Sequence, residues 1–278
     1  TLPDRDAMAL GSPVEVASGL FSENGYLDDP TPAKTGFSYG DPVGALTAVA
    51  AVLMGLRQLR RTGTGSYWDI SLRDALSFGI GSAFADWSMN GKERPHRGNR
   101  HPVYAPQGVY RALGDDEWVA ISIRNDADWQ AFVEAMGSPD WAVDPELFSA
   151  AGRRRRHDEI DARIEEWTAT RCARDVEVAL QEAGVPAGAV LNYRQLRRDP
   201  QLNARGMFRE IVHPVFGLEV RSASIWERGQ LAPPLDRPAP CFGEHNREVL
   251  CRILGLSPEA VAELERDGVI GEQIHATA

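Results

Sequence analysis

Residues 40–65, GDPVGALTAVAAVLMGLRQLRRTGTG, decide how this chain folds. Val43, Leu46, Val49, Leu53, Leu56 and Leu59 recur at helical spacing, with alanine and glycine filling the other faces. That pattern predicts a long helix from Asp41, packed closely on more than one side. Arg57, Arg60 and Arg61 suit its negative C-terminal end, and Gly63 and Gly65 stop it. Asp41-Pro42 reads as an ordinary helix start, with Asp as N-cap and Pro as the first helical residue. The Asp41 carboxylate thus stands at the positive end of a long apolar helix.

Upstream, residues 1–40 are rich in Gly, Pro, Ser and Asp around one apolar patch, Val14 to Ala17. They read as a short helix and an extended loop. Downstream, Tyr67 to Ser71 reads as a short strand, and Ser71 with Asp74 opens a helix from Leu72 to about Met89. Arg94 to Pro106 has no periodicity and reads as loop. Strands follow near 108–112 and 118–123, joined by Gly114-Asp115-Asp116, then helices near 126–136, 158–168 and 173–183. Ile160, Ile164 and Trp167 form one core stripe of the second of these helices. Val190 belongs to a strand and Tyr193 to Leu196 to a small helix, while 213–224 alternates like a strand or hairpin around Gly217. The proline-rich stretch 231–242 is a linker, and 244–254 and 258–265 are helices. The order gives a mixed α/β fold with a smaller α+β insertion.

The 278 residues, 43% hydrophobic and 25% charged, have the balance of a soluble globular protein. No apolar run reaches the roughly 18 residues of a membrane span; the longest candidate is Ala45 to Leu56. The first residues, TLPDRDAMALG, lack the pattern of a signal peptide. Cys172, Cys241 and Cys251 form no metal-ligand spacing and leave an odd thiol, so no metal is expected and the reducing cytoplasm is the simplest home. A net charge of −10 argues against nucleic acid as a partner. Arg153 to Arg156 read as solvated surface. Arg94, Arg97 and Arg100 differ, being interleaved with His96, Gly98, Asn99, His101 and Tyr104 in a loop suited to an anionic ligand.

The run from Gly40 through GTGSYWDISLRDALS (63–77) resembles the signature segment of the family III CoA-transferases, the CaiB–BaiF type. Three further blocks are similar to that family and stand in its order: 98–126, 184–208 and 237–270. The resemblance implies an interlocked dimer of protomers, each with a Rossmann-like large domain built from both chain ends and a small inserted α+β domain. Here 1–72 and 213–278 take the large domain and 98–197 the small one, with 73–97 and 198–212 crossing between them. Family members carry roughly one more domain's worth of sequence ahead of the position of Asp41, so most of the N-terminal CoA-binding portion is expected to be missing here. The chain is then a truncated product, one piece of a split enzyme, or a chain lacking its N-terminal part.

By the same resemblance Asp41 is a covalent nucleophile that passes CoA from an acyl-CoA to a small carboxylic acid. Coenzyme A enters as acyl-CoA co-substrate, without a metal. Ala9, Leu10, Gly11 and Ser12 fall on the segment that contacts CoA, and Leu72 on an apolar wall of that pocket. Asn99, Arg100, His101 and Tyr104 fall in the family's substrate loop, with His101 open to two readings, a general base or polar surface. The partner is a second copy, or a chain that supplies the N-terminal CoA domain, and not a membrane. Two other readings stand beside transfer. One is a 2-methylacyl-CoA racemase or related acyl-CoA lyase or hydratase, disfavoured because the racemase His position falls on Leu10 and the Glu position near Arg124-Asn125. The other is a non-catalytic subunit of a hetero-oligomeric CoA-transferase.

Overall fold

The computed structural model describes residue 8 and residues 10–94, 96–223 and 237–272. The chain divides into two compact units, Thr1–Val190 and Leu191–Ala278. In the first, helix α1 (Gly11–Ala17) leads through a 3-10 turn to the long helix α2 (Gly40–Thr62). Helix α2 begins two residues earlier than the N-cap at Asp41 suggests. Tyr39 occupies the N-cap, Asp41 is inside the first turn, and no side chain caps the helix from the N-cap itself. Gly63, at φ 70°, ends it by donating to the Leu59 carbonyl at 2.8 Å, a left-handed stop that glycine takes without strain.

The expectation that α2 is packed on more than one side is not met within this unit. Its buried residues are Gly40, Gly44 and Ala51, while Leu46 is 68% and Leu53 62% exposed. The covered side lies against α1 and α3 (Leu72–Gly79). Over its best 18-residue window α2 has a mean hydropathy of 1.4. By length and composition it could cross a membrane, although no uninterrupted apolar run in it is that long.

Tyr67 to Ser71 is not a strand. Extended backbone becomes one only against a neighbouring ladder, and the sheet of this unit is built from other segments. Ser71 does cap α3, its Oγ accepting from the Asp74 N–H at 3.2 Å. The helix predicted from 72 to 89 is two helices, α3 and α4 (Gly81–Asn90), hinged at Ile80 with φ −102° and ψ 24°. Glycines on both sides of Ile80 weaken the helix there.

Strands β1 (Gln107–Arg111), β2 (Trp118–Ser122) and β3 (Ala187–Val190) form an antiparallel sheet in the order β1-β2-β3. Val119 and Ile121, two apart on β2, face the core. Against them pack α5 (Asp126–Ala135), α7 (His157–Thr168) and α8 (Ala173–Glu182), contributing Trp129, Phe132, Ile160, Ile164, Val176 and Leu180. Each such buried side chain adds about 1.5–3 kcal/mol of hydrophobic stabilisation. Between α5 and α7 lies α6 (Ala150–Arg155), and it corrects the reading of the arginine run. Arg153 is fully buried, donating to the carbonyls of Ala105 and Leu147 and to Asp126, at 2.7–2.8 Å.

The second unit holds α9 (Tyr193–Arg198), α10 (Pro200–Ala204), the hairpin of β4 (Phe208–His213) and β5 (Gly217–Ser222), and α11 (Pro258–Arg266). The hairpin starts five residues before the predicted 213, its two strands in register from Phe208 opposite Ser222. The helix expected over 244–254 is instead a π-helical turn, Glu248–Ile253, in which the Leu254 N–H reaches back to Val249. Residues 231–236 of the proline-rich linker lie outside the described residues.

Candidate active site

Asp41 is exposed on the first turn of α2. Two helices converge on it. A Cβ placed on Gly11, the first residue of α1, would stand 3.3 Å from Asp41 Oδ2 and 2.8 and 2.9 Å from Ser38 Cβ and Oγ. Glycine at 11 therefore leaves the α1 backbone directly against the carboxylate and Ser38. The free N–H groups and dipole of α2, roughly half a positive charge, favour an anion at that end. One turn along α2, Gly44 is buried, and a Cβ there would overlap Leu72 Cδ2 at 1.8 Å. Leu72 thus lies over the helix backbone three residues beyond Asp41.

Of the segment expected to meet CoA, Gly11 stands beside Asp41, with room for little more than a hydrogen where a Cβ would be. Ser12 is half-buried beside it, and Leu10 is 61% exposed, its carbonyl accepting from Val14 N–H. Ala9 lies outside the described residues. A cleft of about 370 Å³, lined by Leu20, Phe21, Tyr39, Val43, Leu76 and Ile80 among others, opens near this turn. Tyr39 and Val43 stand two residues either side of Asp41, about 200° round the helix, so the cleft is behind the carboxylate.

One residue of this site is missing from the sequence reading. Glu15, four residues after Gly11 on α1, is fully buried, and its Oε1 accepts from the Tyr39 N–H at the N-cap of α2. Its Oε2 is buried with no hydrogen-bond partner among the described residues. The available signal was an acid set between Val14 and Val16 in the one apolar patch of residues 1–40.

The loop 98–106 is held elsewhere in the same unit. Arg100 Nη2 donates to Asp158 at 2.6 Å and Asp161 at 2.5 Å, both on α7. Burial weakens the Arg100 guanidinium's hold on its proton, but these two carboxylates outweigh burial and strengthen it overall. Arg100 in turn holds the Asp158 carboxyl below its usual range. The Tyr110 hydroxyl donates to Asp161 at 2.8 Å, and burial, reinforced by Asp161, pushes its pKa well up. Burial lowers that of His157, partly offset by Asp161. His101 Nδ1 accepts from the Val103 and Tyr104 N–H groups at 3.1 Å, and its ring stacks on Tyr104 at 4.1 Å. The Asn99 carbonyl accepts from Gln107 at 3.0 Å. Among the described residues, none of these bonds or ring contacts runs to Asp41, Gly11 or Leu72. No cluster of three His, Cys, Asp or Glu side chains able to hold a metal occurs among the described residues.

The sequence profile of CoA-transferase family III matches residues 2–246. The succinyl-CoA–D-citramalate CoA-transferase of Chloroflexus aurantiacus is 31% identical over 271 residues, covering 97% of this chain and 67% of that protein. A formyl-CoA:oxalate CoA-transferase of Rhodopseudomonas palustris is 27% identical, covering 99% and 69%. Among solved structures, a CAIB/BAIF family protein from Brucella suis superposes with a TM-score of 0.78 at 24% identity, over 91% of this chain and 65% of that one. The chain thus spans about two thirds of the length of these relatives.

Proposed function

The chain belongs to CoA-transferase family III, and we propose that it moves CoA from an acyl-CoA thioester to an acceptor carboxylic acid through Asp41. An Asp41 oxygen attacks the thioester carbonyl, the C–S bond breaks, and CoA thiolate leaves a mixed aspartyl-acyl anhydride. The thiolate then attacks Cγ of Asp41 and expels the donor carboxylate, giving an aspartyl-CoA thioester. The acceptor carboxylate attacks that Cγ and releases thiolate, and the thiolate attacks the acceptor's acyl carbon and restores the Asp41 carboxylate. Every nucleophile and leaving group is an anion, so no net proton moves and no general base is required. Covalent catalysis of this kind divides one hard exchange into easier steps.

The observation that carries this reading is an exposed carboxylate on the first turn of α2, with the Gly11 backbone drawn up beside it. Free N–H groups at a helix start stabilise anions and developing oxyanions. In this reading Leu10, Gly11, Ser12 and Leu72 meet CoA together with Ala9. Asn99, Arg100, His101 and Tyr104 shape the acceptor's side, Arg100 acting through the loop's attachment to α7. His101 serves there as a turn-forming residue, consistent with its two backbone bonds. Acyl-CoA transfer in the cytoplasm is the role proposed.

The apolar face of α2 favours an assembled enzyme. Leu46, Val49, Val52, Leu53 and Leu56 are all exposed, more contiguous apolar surface than a lone chain keeps in water. We propose that protein covers it: a second copy in an interlocked dimer, or polypeptide supplying the rest of the Rossmann-like CoA domain. The large domain then combines 1–72 with 213–278 and the small one takes 98–197. The test of transfer is to mix the protein with a panel of acyl-CoA thioesters, quench with hydroxylamine and map the product by mass spectrometry. A hydroxamate on Asp41 is expected. Turnover with Asp41 unmodified refutes the mechanism.

A further inference from the structure

Transfer through Asp41 leaves one buried ionisable group of this unit without a task. Glu15 is 0% exposed, and one of its carboxyl oxygens has no hydrogen-bond partner among the described residues. Burying a carboxylate costs several kcal/mol unless its bonds are good, so simple packing is better served by an apolar side chain of the same size. The oxygen that is used reaches one particular donor, the N–H of Tyr39 at the N-cap of α2. That is one of the N–H groups a helix start leaves unpaired, and a side-chain oxygen long enough to reach it from α1 satisfies it.

Tyr39 stands two residues before Asp41, and Tyr39 supplies no side-chain cap of its own. The backbone entering α2 is therefore fixed from α1, by two points one turn apart. At Gly11 the α1 backbone abuts the side chains of Ser38 and Asp41. At Glu15, four residues on and hence on the same face of α1, a hydrogen bond ties down Tyr39. Ser18, near the end of α1, is anchored in turn, its carbonyl accepting from Ser77 Oγ of α3 at 3.0 Å. Helix α1 is thus a fixed platform from which the start of α2 is held.

We propose that Glu15 is a positioning residue for the transfer reaction: its carboxyl group, through Tyr39 N–H, sets the entry of α2 and so aims the Asp41 carboxylate at the thioester. The proposal rests on Asp41 being the nucleophile. What it adds is that reach, rather than negative charge, is what Glu15 supplies. Two conservative variants separate these. Glu15→Gln keeps the acceptor oxygen at the same distance and removes the charge. Glu15→Asp keeps the charge and withdraws it by one methylene, out of reach of Tyr39.

The experiment uses the full-length protein, with succinyl-CoA as probe and hydroxylamine to trap Asp41, alongside steady-state rates and hydrogen exchange of the Tyr39 amide. Displacing a reacting group by about 1 Å costs on the order of a hundredfold. Glu15→Asp is accordingly expected to lower kcat about 10- to 100-fold with the KM for acyl-CoA within about twofold, and to speed exchange at Tyr39. Glu15→Gln is expected to hold kcat within about threefold of the parent and to keep Tyr39 protected. The reverse order of the two variants overturns the proposal in favour of a charge effect. Parental rates in both, or loss of folding in either, overturn it in favour of no role or of packing alone. If the parent protein turns over without any adduct on Asp41, the nucleophile reading fails first and the Glu15 proposal falls with it. A parent that labels normally beside a Glu15→Asp variant that labels equally fast sinks the Glu15 proposal alone.

Discussion

Replacing Gly11 by alanine tests the geometry around Asp41 with a single methyl group. The new carbon would lie 2.8 Å from Ser38 Cβ, 2.9 Å from Ser38 Oγ and 3.3 Å from Asp41 Oδ2. Non-bonded carbons rest at about 3.5–4.0 Å, so residues 11 and 38 must part by about 1 Å. Rotation of the hydroxyl relieves the Oγ contact, but Cβ moves only with the backbone, and Ser38 is three residues ahead of Asp41 on the entry to α2. Gly11 is absent from the glycines at positive φ, so alanine brings no backbone strain and is the better helix former at this position. The contact is thus the whole cost. Overpacking of this size destabilises by about 1–3 kcal/mol, and a shift of about 1 Å in the nucleophile lowers turnover on the order of a hundredfold. Thermal melting and the rate of Asp41 hydroxamate formation read the two effects separately. Adding Ser38→Gly removes both short contacts with Ser38, so the double variant is expected to regain the melting temperature and part of the rate. Gly11→Ala with parental melting and parental labelling refutes the reasoning.

Asp41→Asn and Asp41→Ala are expected to abolish transfer while costing at most about 1 kcal/mol, because Asp41 is not the N-cap and contributes to the helix start only through the dipole; denaturant melts showing outright unfolding give it a structural role instead. Burial holds the folded-state pKa of His157 below the ordinary value of 6.5. As pH falls through that value the unfolded chain takes up this proton first, so stability from this group is lost downward from there until the folded value is passed. His157→Gln is expected to shrink the drop in melting temperature between about pH 7 and about pH 5 relative to the parent, and an unchanged drop excludes this histidine. Leu46→Glu with Leu53→Glu places two charges on the open face of α2; native mass spectrometry is expected to show the assembly dissociated, and an intact assembly leaves that face uncovered.

The long helix was legible because its signals are local: apolar residues at helical spacing, arginines at one end and a left-handed glycine as stop. So were the hairpin of β1 and β2 and the stripe of α7, whose periods are set by their own residues. What failed depends on neighbours remote in sequence. Residues 67–71 have the composition of a strand, but no strand pairs with them among the described residues. The break at Ile80 turns on two glycines that a helical pattern tolerates on paper. Four successive arginines read as solvent-facing, yet the turn of α6 sends Arg153 inward to the carbonyls of Ala105 and Leu147. At the candidate site, Asp41 is proposed from the motif around it, and Gly11 from the spacing to Asp41 that the family resemblance gives. Glu15 escaped because its role is a contact between two helices, and one acid in an apolar patch announces nothing about its partner.

Oxygen tracing reaches the central claim most directly. With an acceptor acid carrying ¹⁸O in its carboxylate, the bridging oxygen of the second anhydride stays with the protein when thiolate removes the acyl group. One labelled oxygen is therefore predicted in the Asp41 peptide after turnover. Label passing into products while Asp41 stays unlabelled means the carboxylate never joins the chemistry.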